Sequence, residues 1–233
     1  MTWHAKRKGA YTTSSSEYED NVWEIYNTLS DDTQLMGDAW TYEAIVGLIA
    51  NASWESGLNP WRYNSIGAYG LVQFYPNTYY IGNRGVAYSG YAPSLDSDLP
   101  EGDYSDGANA SDGKAQLLVI DSPTDTKYIV TEAKKQKARD LSWSILEWDS
   151  IQAYKICDDI DEAIQSFLLF YEYPTTDLDE LRTEFNNRKS YVARIEEILG
   201  GQPPVPPVPP SEYKGMPLYF YITKRFKRRK GLI

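Results

Sequence analysis

The feature that most constrains the fold is an apolar segment over residues 42–52 that keeps helical spacing. Thr41 precedes it and can cap a helix with its side-chain oxygen. Gly57 follows it, and glycine readily adopts the left-handed conformation that ends helices. The segment is far shorter than the roughly 18 apolar residues that cross a bilayer. We therefore expect a buried helix in a globular core, with Glu55 close to its C-terminal end.

Further helical patterns predict a mainly α-helical domain. Serines 14–16 can cap the first helix, Pro174 stops another, and Asp177 can cap the last one. No convincing strand exceeds a few residues, and the β-structure that we expect is a small hairpin near residues 63–72. The additional predicted helices cover residues 17–29, 115–120, 160–171 and 177–199.

The composition along the chain predicts four parts. Residues 1–16 are an N-terminal arm, and residues 17–199 are the folded domain. Residues 200–210 contain a proline run that favours polyproline II, a semi-rigid spacer of about 3.1 Å per residue. Residues 211–233 are an aromatic and basic tail. Within the domain, residues 79–113 are rich in Tyr, Gly, Asp and Ser and predict a long loop of the kind that often carries function.

The formal net charge of −10 is unevenly distributed. Residues 214–233 hold seven of the 23 basic residues and no acidic one, so residues 1–213 carry a formal charge of −17. An acidic domain argues against nucleic-acid binding. The basic tail indicates a separate contact surface, which we expect to dock on another protein. The alternative is a flexible tail that binds an anionic wall polymer or a membrane.

Cysteine and histidine chemistry is nearly excluded. Cys157 is the only cysteine, so an intrachain disulfide and a Cys-cluster zinc site are ruled out. His4 is the only histidine and falls in the expected N-terminal arm, which argues strongly against a Ser-His-Asp or Cys-His mechanism and against a His-based metal site. No spaced acidic loop suggests a metal site, and we expect no cofactor. Acid–base chemistry in this chain must therefore use carboxylates.

Two linked motifs in residues 53–78 carry the strongest functional signal. The first, Glu-Ser-Gly-Leu-Asn-Pro, begins at Glu55, and the second, Ser-x-Gly-Ala-x-Gly-Leu-x-Gln, begins at Ser65. Together they resemble the active site of goose-type lysozymes and lytic transglycosylases, and more closely that of phage tail lysozymes. Residues 163–174 are also similar to a helix of phage tail lysozymes that ends in Tyr-Glu-x-Pro. The Ala-Tyr-Asn motif of lytic transglycosylases is absent from this chain.

The resemblance implies a mainly α, lysozyme-like (α+β) domain with a cleft, in which Glu55 is the general acid. It also implies that a glycine turn forms the cleft floor and that the end of a later helix lines the opposite side. Loop 79–113 is expected to border the cleft. The implied substrate-binding residues are Ser65, Gly67, Gly70, Gln73, Tyr171 and Glu172.

The second carboxylate stays open at this stage. Glycosidases use a base or nucleophile whose carboxyl lies about 5 to 5.5 Å from the acid for retention and 6.5 to 9.5 Å for inversion. Sequence provides no such distance. The candidates are Asp96, Asp98, Asp103, Asp106, Asp112 and Glu172.

The resulting functional hypothesis is a peptidoglycan-cleaving muramidase mounted on a phage tail. The N-terminus lacks the apolar stretch of a secretory signal, so we expect the virion to carry the chain to the cell wall. The alternatives are a lytic transglycosylase, which forms 1,6-anhydro products, and an inactive structural tail-tip protein. The expected partners are glycan strands and other tail proteins.

Overall fold

The computed structural model describes residues 3–6, 9–35, 37–62, 64–65, 67–75, 103–105, 112–122 and 127–200. The chain divides into two units, residues 1–202 and residues 203–233, and the described residues all belong to the first. Most of loop 79–113, the proline spacer beyond residue 200 and the tail 211–233 therefore lie outside the described residues.

Helices dominate the described residues, which confirms the prediction of a mainly α-helical domain. The only sheet within them pairs strands β1 (His4–Lys6) and β2 (Asp103–Ser105) antiparallel, with Ala5 opposite Tyr104. The helices are α1 (Ser16–Ser30), a 3₁₀ turn (Asp32–Gln34), α2 (Tyr42–Ser56), α3 (Asp112–Asp121), α4 (Glu132–Asp140), α5 (Ile151–Tyr154), α6 (Ile160–Ser166), a π-helix (Phe167–Glu172), α7 (Leu178–Lys189) and α8 (Val192–Ile198). None of the described helices is long and apolar enough to cross a membrane.

The helix starts follow their capping residues. The side chain of Ser15 accepts a hydrogen bond from the backbone N–H of Tyr18 at the start of α1, and Thr41 does the same for α2. Asp177 accepts two backbone N–H groups of α7, each at 2.9 Å. These side chains satisfy donors that have no partner inside the helix. The predicted starts of all three helices are confirmed to within one residue.

Helix α2 is the centre of the core, as its apolar sequence predicts. It packs against α1, α7, α8 and the π-helix, and most extensively against α6. Its residues from position 44 to position 53 are all buried. Gly47 permits the close approach of α6, because a Cβ at this position would lie 2.5 Å from the Cβ of Ala163. Helix α2, which carries Glu55, and α6, which leads into the π-helix, are thus held almost backbone to backbone.

The N-terminal segment is not the separate arm that the sequence predicts. Trp3, Ala5 and Tyr11 are buried in the same core as α2. Asn21 and Asn59 anchor the segment through hydrogen bonds to the backbone of β1, with lengths between 2.8 and 3.1 Å. The prediction was wrong because β1 spans three residues, fewer than the roughly four to eight over which alternation of apolar and polar residues indicates a strand.

Two further helix predictions need correction. The helix expected over residues 160–171 begins as α6 and continues as a π-helix to Glu172. The single helix expected over residues 177–199 is two helices, separated by a turn at Ser190 and Tyr191. Periodicity did not reveal this turn because apolar side chains on both sides of it pack on the same core. The β-structure seen near the expected hairpin is one antiparallel bridge between Tyr69 and Phe74.

Candidate active site

Glu55 lies in the last turn of α2. The neighbouring Ser53 and Ser56 are buried, whereas the Glu55 side chain is 23% exposed. Gly57 ends the helix with a φ of +59°, and a Cβ there would lie 2.5 Å from the Cβ of Ala10. The packed N-terminal segment therefore requires glycine at this position. The result is a carboxyl group that is mostly buried yet reachable from solvent.

A buried arginine holds Glu55 and two other carboxylates together. Arg188 of α7 is fully buried, and its Nη2 donates hydrogen bonds to Oε1 of Glu55 and, at 2.7 Å, to Oε2 of Glu172. Its Nε also donates to Oε2 of Glu172, at 3.1 Å. Its Nη1 donates to the carboxylate of Glu184, one turn earlier on α7. One cation is thus shared by three acidic side chains.

This environment favours the protonated form of Glu55. Burial and the negative charge of Glu172 raise the pKa of Glu55 from its ordinary 4.5 to about 8, against the opposing charge of Arg188. Burial also raises the pKa of Glu172, again against Arg188. A carboxyl group that keeps its proton near neutral pH can act as a general acid. The two main causes of the raised pKa are therefore burial and the neighbouring carboxylate of Glu172.

Tyr171 directly precedes Glu172 in the π-helix. Its ring is only 3% exposed and stacks on Phe167, with ring centroids 4.4 Å apart. Lys127 Nζ lies 5.5 Å from the centre of this ring and 5.6 Å from that of Phe74. The same ammonium group acts to lower the pKa of Glu55 and of Glu172. Lys127 thereby connects the π-helix with the turn that contains the second motif.

The second motif forms a tight turn, and its residues differ in accessibility. Ser65 is exposed, Gly67 is half-buried and Gly70 is buried. Both glycines have a φ of +88°, and a Cβ on Gly70 would lie 2.3 Å from Oε1 of Gln116. Gln73 donates from Nε2 to the carbonyls of Arg62 and Gly70, at 3.1 and 3.0 Å. Gly70 and Gln73 therefore build the turn, while Ser65 is exposed at its edge.

Comparison with family models resolves what these motifs belong to. The model described as phage tail lysozyme matches residues 20–199 of the chain. This match covers most of the chain and spans both motifs, Glu172 and Arg188. The chain belongs to the phage tail lysozyme family. A comparison with curated proteins found no match. Family membership makes this a lysozyme-like domain that acts on the bacterial cell wall.

Sequence reasoning did not find Arg188, Glu184 or Trp54 at this site. Arg188 carries no signal beyond its i, i+4 spacing from Glu184, because it lies in a polar run of α7. Trp54 directly precedes Glu55, is 42% exposed, and donates from Nε1 to Oε2 of Glu184 at 2.9 Å. Its position beside the proposed acid was the one available cue.

The candidates for a second carboxylate separate into two groups. Glu172 lies beside Glu55 but is only 6% exposed and is bound to Arg188. Asp96, Asp98 and Asp106, and the side chains of Asp103 and Asp112, lie outside the described residues. In the part of the chain that is described, no group of three or more His, Cys, Asp or Glu side chains is arranged to hold a metal ion.

Proposed function

We propose that this chain is the muramidase of a phage tail, which hydrolyses the β-1,4 bond between N-acetylmuramic acid and N-acetylglucosamine. Glu55 donates its proton to the glycosidic oxygen, and the bond breaks through an oxocarbenium-like transition state. The observation that carries this proposal is the partly accessible Glu55 carboxyl in a setting that keeps it protonated near neutral pH. On a phage tail, such an enzyme would degrade the cell wall locally where the genome enters.

The surroundings of Glu55 support a polysaccharide substrate. Trp54 presents a large exposed ring directly beside the acid, and aromatic rings with one polar edge suit the apolar faces and hydroxyl groups of sugars. Ser65 and Gln73 in the second motif offer a hydroxyl group and an amide carbonyl. We propose that these groups bind the N-acetyl and hydroxyl substituents on the two sides of the scissile bond.

One observation favours lytic transglycosylase chemistry as a second candidate. In this reaction the 6-hydroxyl group of the sugar attacks, so a single carboxyl can serve as acid and then as base. Both carboxylates that share Arg188 with Glu55, those of Glu172 and Glu184, are engaged by it. Among the described residues, neither is therefore free to activate a water molecule.

The test compares Glu55→Gln with wild type in the clearing of purified peptidoglycan. The variant keeps the shape of the side chain and loses the transferable proton, so we expect a loss of about 10²- to 10⁴-fold. Glu43→Gln is the matched control, since it makes the same change at the opposite end of α2. Clearing by Glu55→Gln at the wild-type rate would refute the assignment. A wild type that clears nothing would favour the structural tail-tip alternative.

We also propose that residues 211–233 dock the enzyme on another tail protein. Their sequence combines Leu218, Phe220 and Ile222 at alternate positions with a basic run that can meet acidic groups. Replacing these three residues by serine in the full chain should prevent incorporation into tails and leave peptidoglycan clearing intact. Normal incorporation of that variant would contradict the docking role.

A further inference from the structure

We propose that Arg188 is a positioning residue for Glu55. One nitrogen of its guanidinium binds the carboxylates of Glu55 and Glu172 together, and Glu172 serves as a buried counter-charge and not as a contact for substrate. This inference rests on the proposed function in one respect, namely that Glu55 is the general acid. Its structural basis is the shared Nη2 atom, which donates to both carboxylates.

Glu172 is placed where substrate cannot use it. Its Oε2 accepts two hydrogen bonds from Arg188, and its Oε1 is buried without a hydrogen-bond partner. The π-helix that carries it is fixed at its end, because Tyr173 donates to the carbonyl of Leu168 at 2.7 Å. Lys134 donates from Nζ to the carbonyl of Phe170 at 3.1 Å. Glu172 is therefore a rigid, buried carboxyl group beside Glu55.

The charge balance of the cluster decides which carboxyl holds a proton. An ionised Glu172 is neutralised by Arg188, and a second buried negative charge at Glu55 would be left without compensation. Glu184 binds Nη1 of Arg188 from α7 and is 27% exposed, so its charge is better solvated than that of Glu172, which is 6% exposed. The remaining charged group that acts on Glu55 from the described residues around it is Lys127, ahead of α4, and it favours ionisation.

This account predicts opposite effects of two substitutions on Glu55. Glu172→Gln removes the competing negative charge and leaves Arg188 to stabilise an ionised Glu55. The titration midpoint of Glu55 should then fall by about 1 to 3 pH units, the range for a carboxyl beside a cation. Arg188→Gln removes the cation and should raise the midpoint. A site that was merely loosened would admit water and lower the midpoint in both variants.

The experiment is a carboxyl ¹³C NMR titration of the full-length protein, with the Glu55 resonance assigned by its loss in Glu55→Gln. Glu184→Gln is the matched control, and its downward shift should be smaller than that of Glu172→Gln because Glu184 acts less strongly on Glu55. Circular dichroism checks folding at each pH. If Arg188→Gln does not fold, the comparison of Glu172→Gln with Glu184→Gln decides.

An unmoved midpoint in Glu172→Gln, an equal shift in Glu184→Gln, or a downward shift in Arg188→Gln overturns the proposal. The readout needs no activity, so it separates this inference from the proposed function. Opposite shifts in a protein that cannot cleave peptidoglycan would support the positioning role and refute the enzyme. Loss of cleavage in Glu55→Gln, combined with an unmoved midpoint in Glu172→Gln, would refute only the positioning role.

Discussion

Replacing the proposed acid should stabilise the protein in alkaline solution. Glu55 has an ordinary pKa of 4.5 and a pKa of about 8 in the folded protein. Between these values the unfolded chain releases the proton while the folded chain retains it, so the free energy of unfolding falls as the pH rises. One pKa unit corresponds to about 1.4 kcal/mol, so the full penalty above pH 8 is at most about 5 kcal/mol.

Glu55→Gln removes this penalty because glutamine does not ionise. The side chain is partly exposed, and water can relax around the charge, so we expect a gain of about 2 to 4 kcal/mol above pH 8. Below pH 4.5, where wild-type Glu55 is protonated in both states, the two proteins should be nearly equal in stability.

Urea unfolding at several pH values, followed by tryptophan fluorescence, measures this difference. Glu43→Gln, in the first turn of the same helix, is the control and should show no comparable growth of the difference with pH. The reasoning is refuted if the difference between Glu55→Gln and wild type does not change with pH. It is equally refuted if the variant is the less stable protein above pH 8.

Three further outcomes are expected. Gly47→Ala should destabilise the domain by about 1 to 3 kcal/mol in urea unfolding, because the added methyl group collides with Ala163. This clash outweighs the roughly 1 kcal/mol that alanine gains over glycine in helix propensity. Combining Gly47→Ala with Ala163→Gly should recover part of the loss, and an unchanged or more stable single variant would contradict the packing. Trp54→Ala should raise KM for peptidoglycan about tenfold, which corresponds to about 1.4 kcal/mol of binding free energy. Trp54→Phe should retain most of the affinity. Equal KM values for Trp54→Ala and wild type would exclude a sugar contact. Activity should persist in excess EDTA, and a loss that added metal restores would contradict a cofactor-free mechanism.

Local signals in the sequence were sufficient for the centre of the fold. The cap at Thr41, the apolar face behind it and the stop at Gly57 each depend on a few neighbouring residues, and together they place Glu55 at the end of a buried helix. In the same way, the capping residue Ser15 marks the start of α1. Such features can be predicted because their energetics are contained within one or two helical turns.

The partners of Glu55 depend on contacts between distant segments. Arg188 is 133 residues away from Glu55 in the chain, and its own neighbours indicate an exposed polar helix. The π-helix that fixes Glu172 depends on Lys134 and Ile129, which bond to the carbonyl of Phe170 from another segment. Periodicity carries no information about such tertiary hydrogen bonds, so the proposed acid and Glu172 could be named from sequence while Arg188, which binds both, could not.

Mass spectrometry of the muropeptides released from purified peptidoglycan tests the central claim most directly. A muramidase leaves N-acetylmuramic acid at a reducing end, where borohydride converts it to the alcohol. We predict these reducible products from wild type and from Glu43→Gln, and none above background from Glu55→Gln. Release of 1,6-anhydro-muramic acid products by wild type would contradict hydrolysis, and release of no muropeptides at all would contradict an enzymatic role.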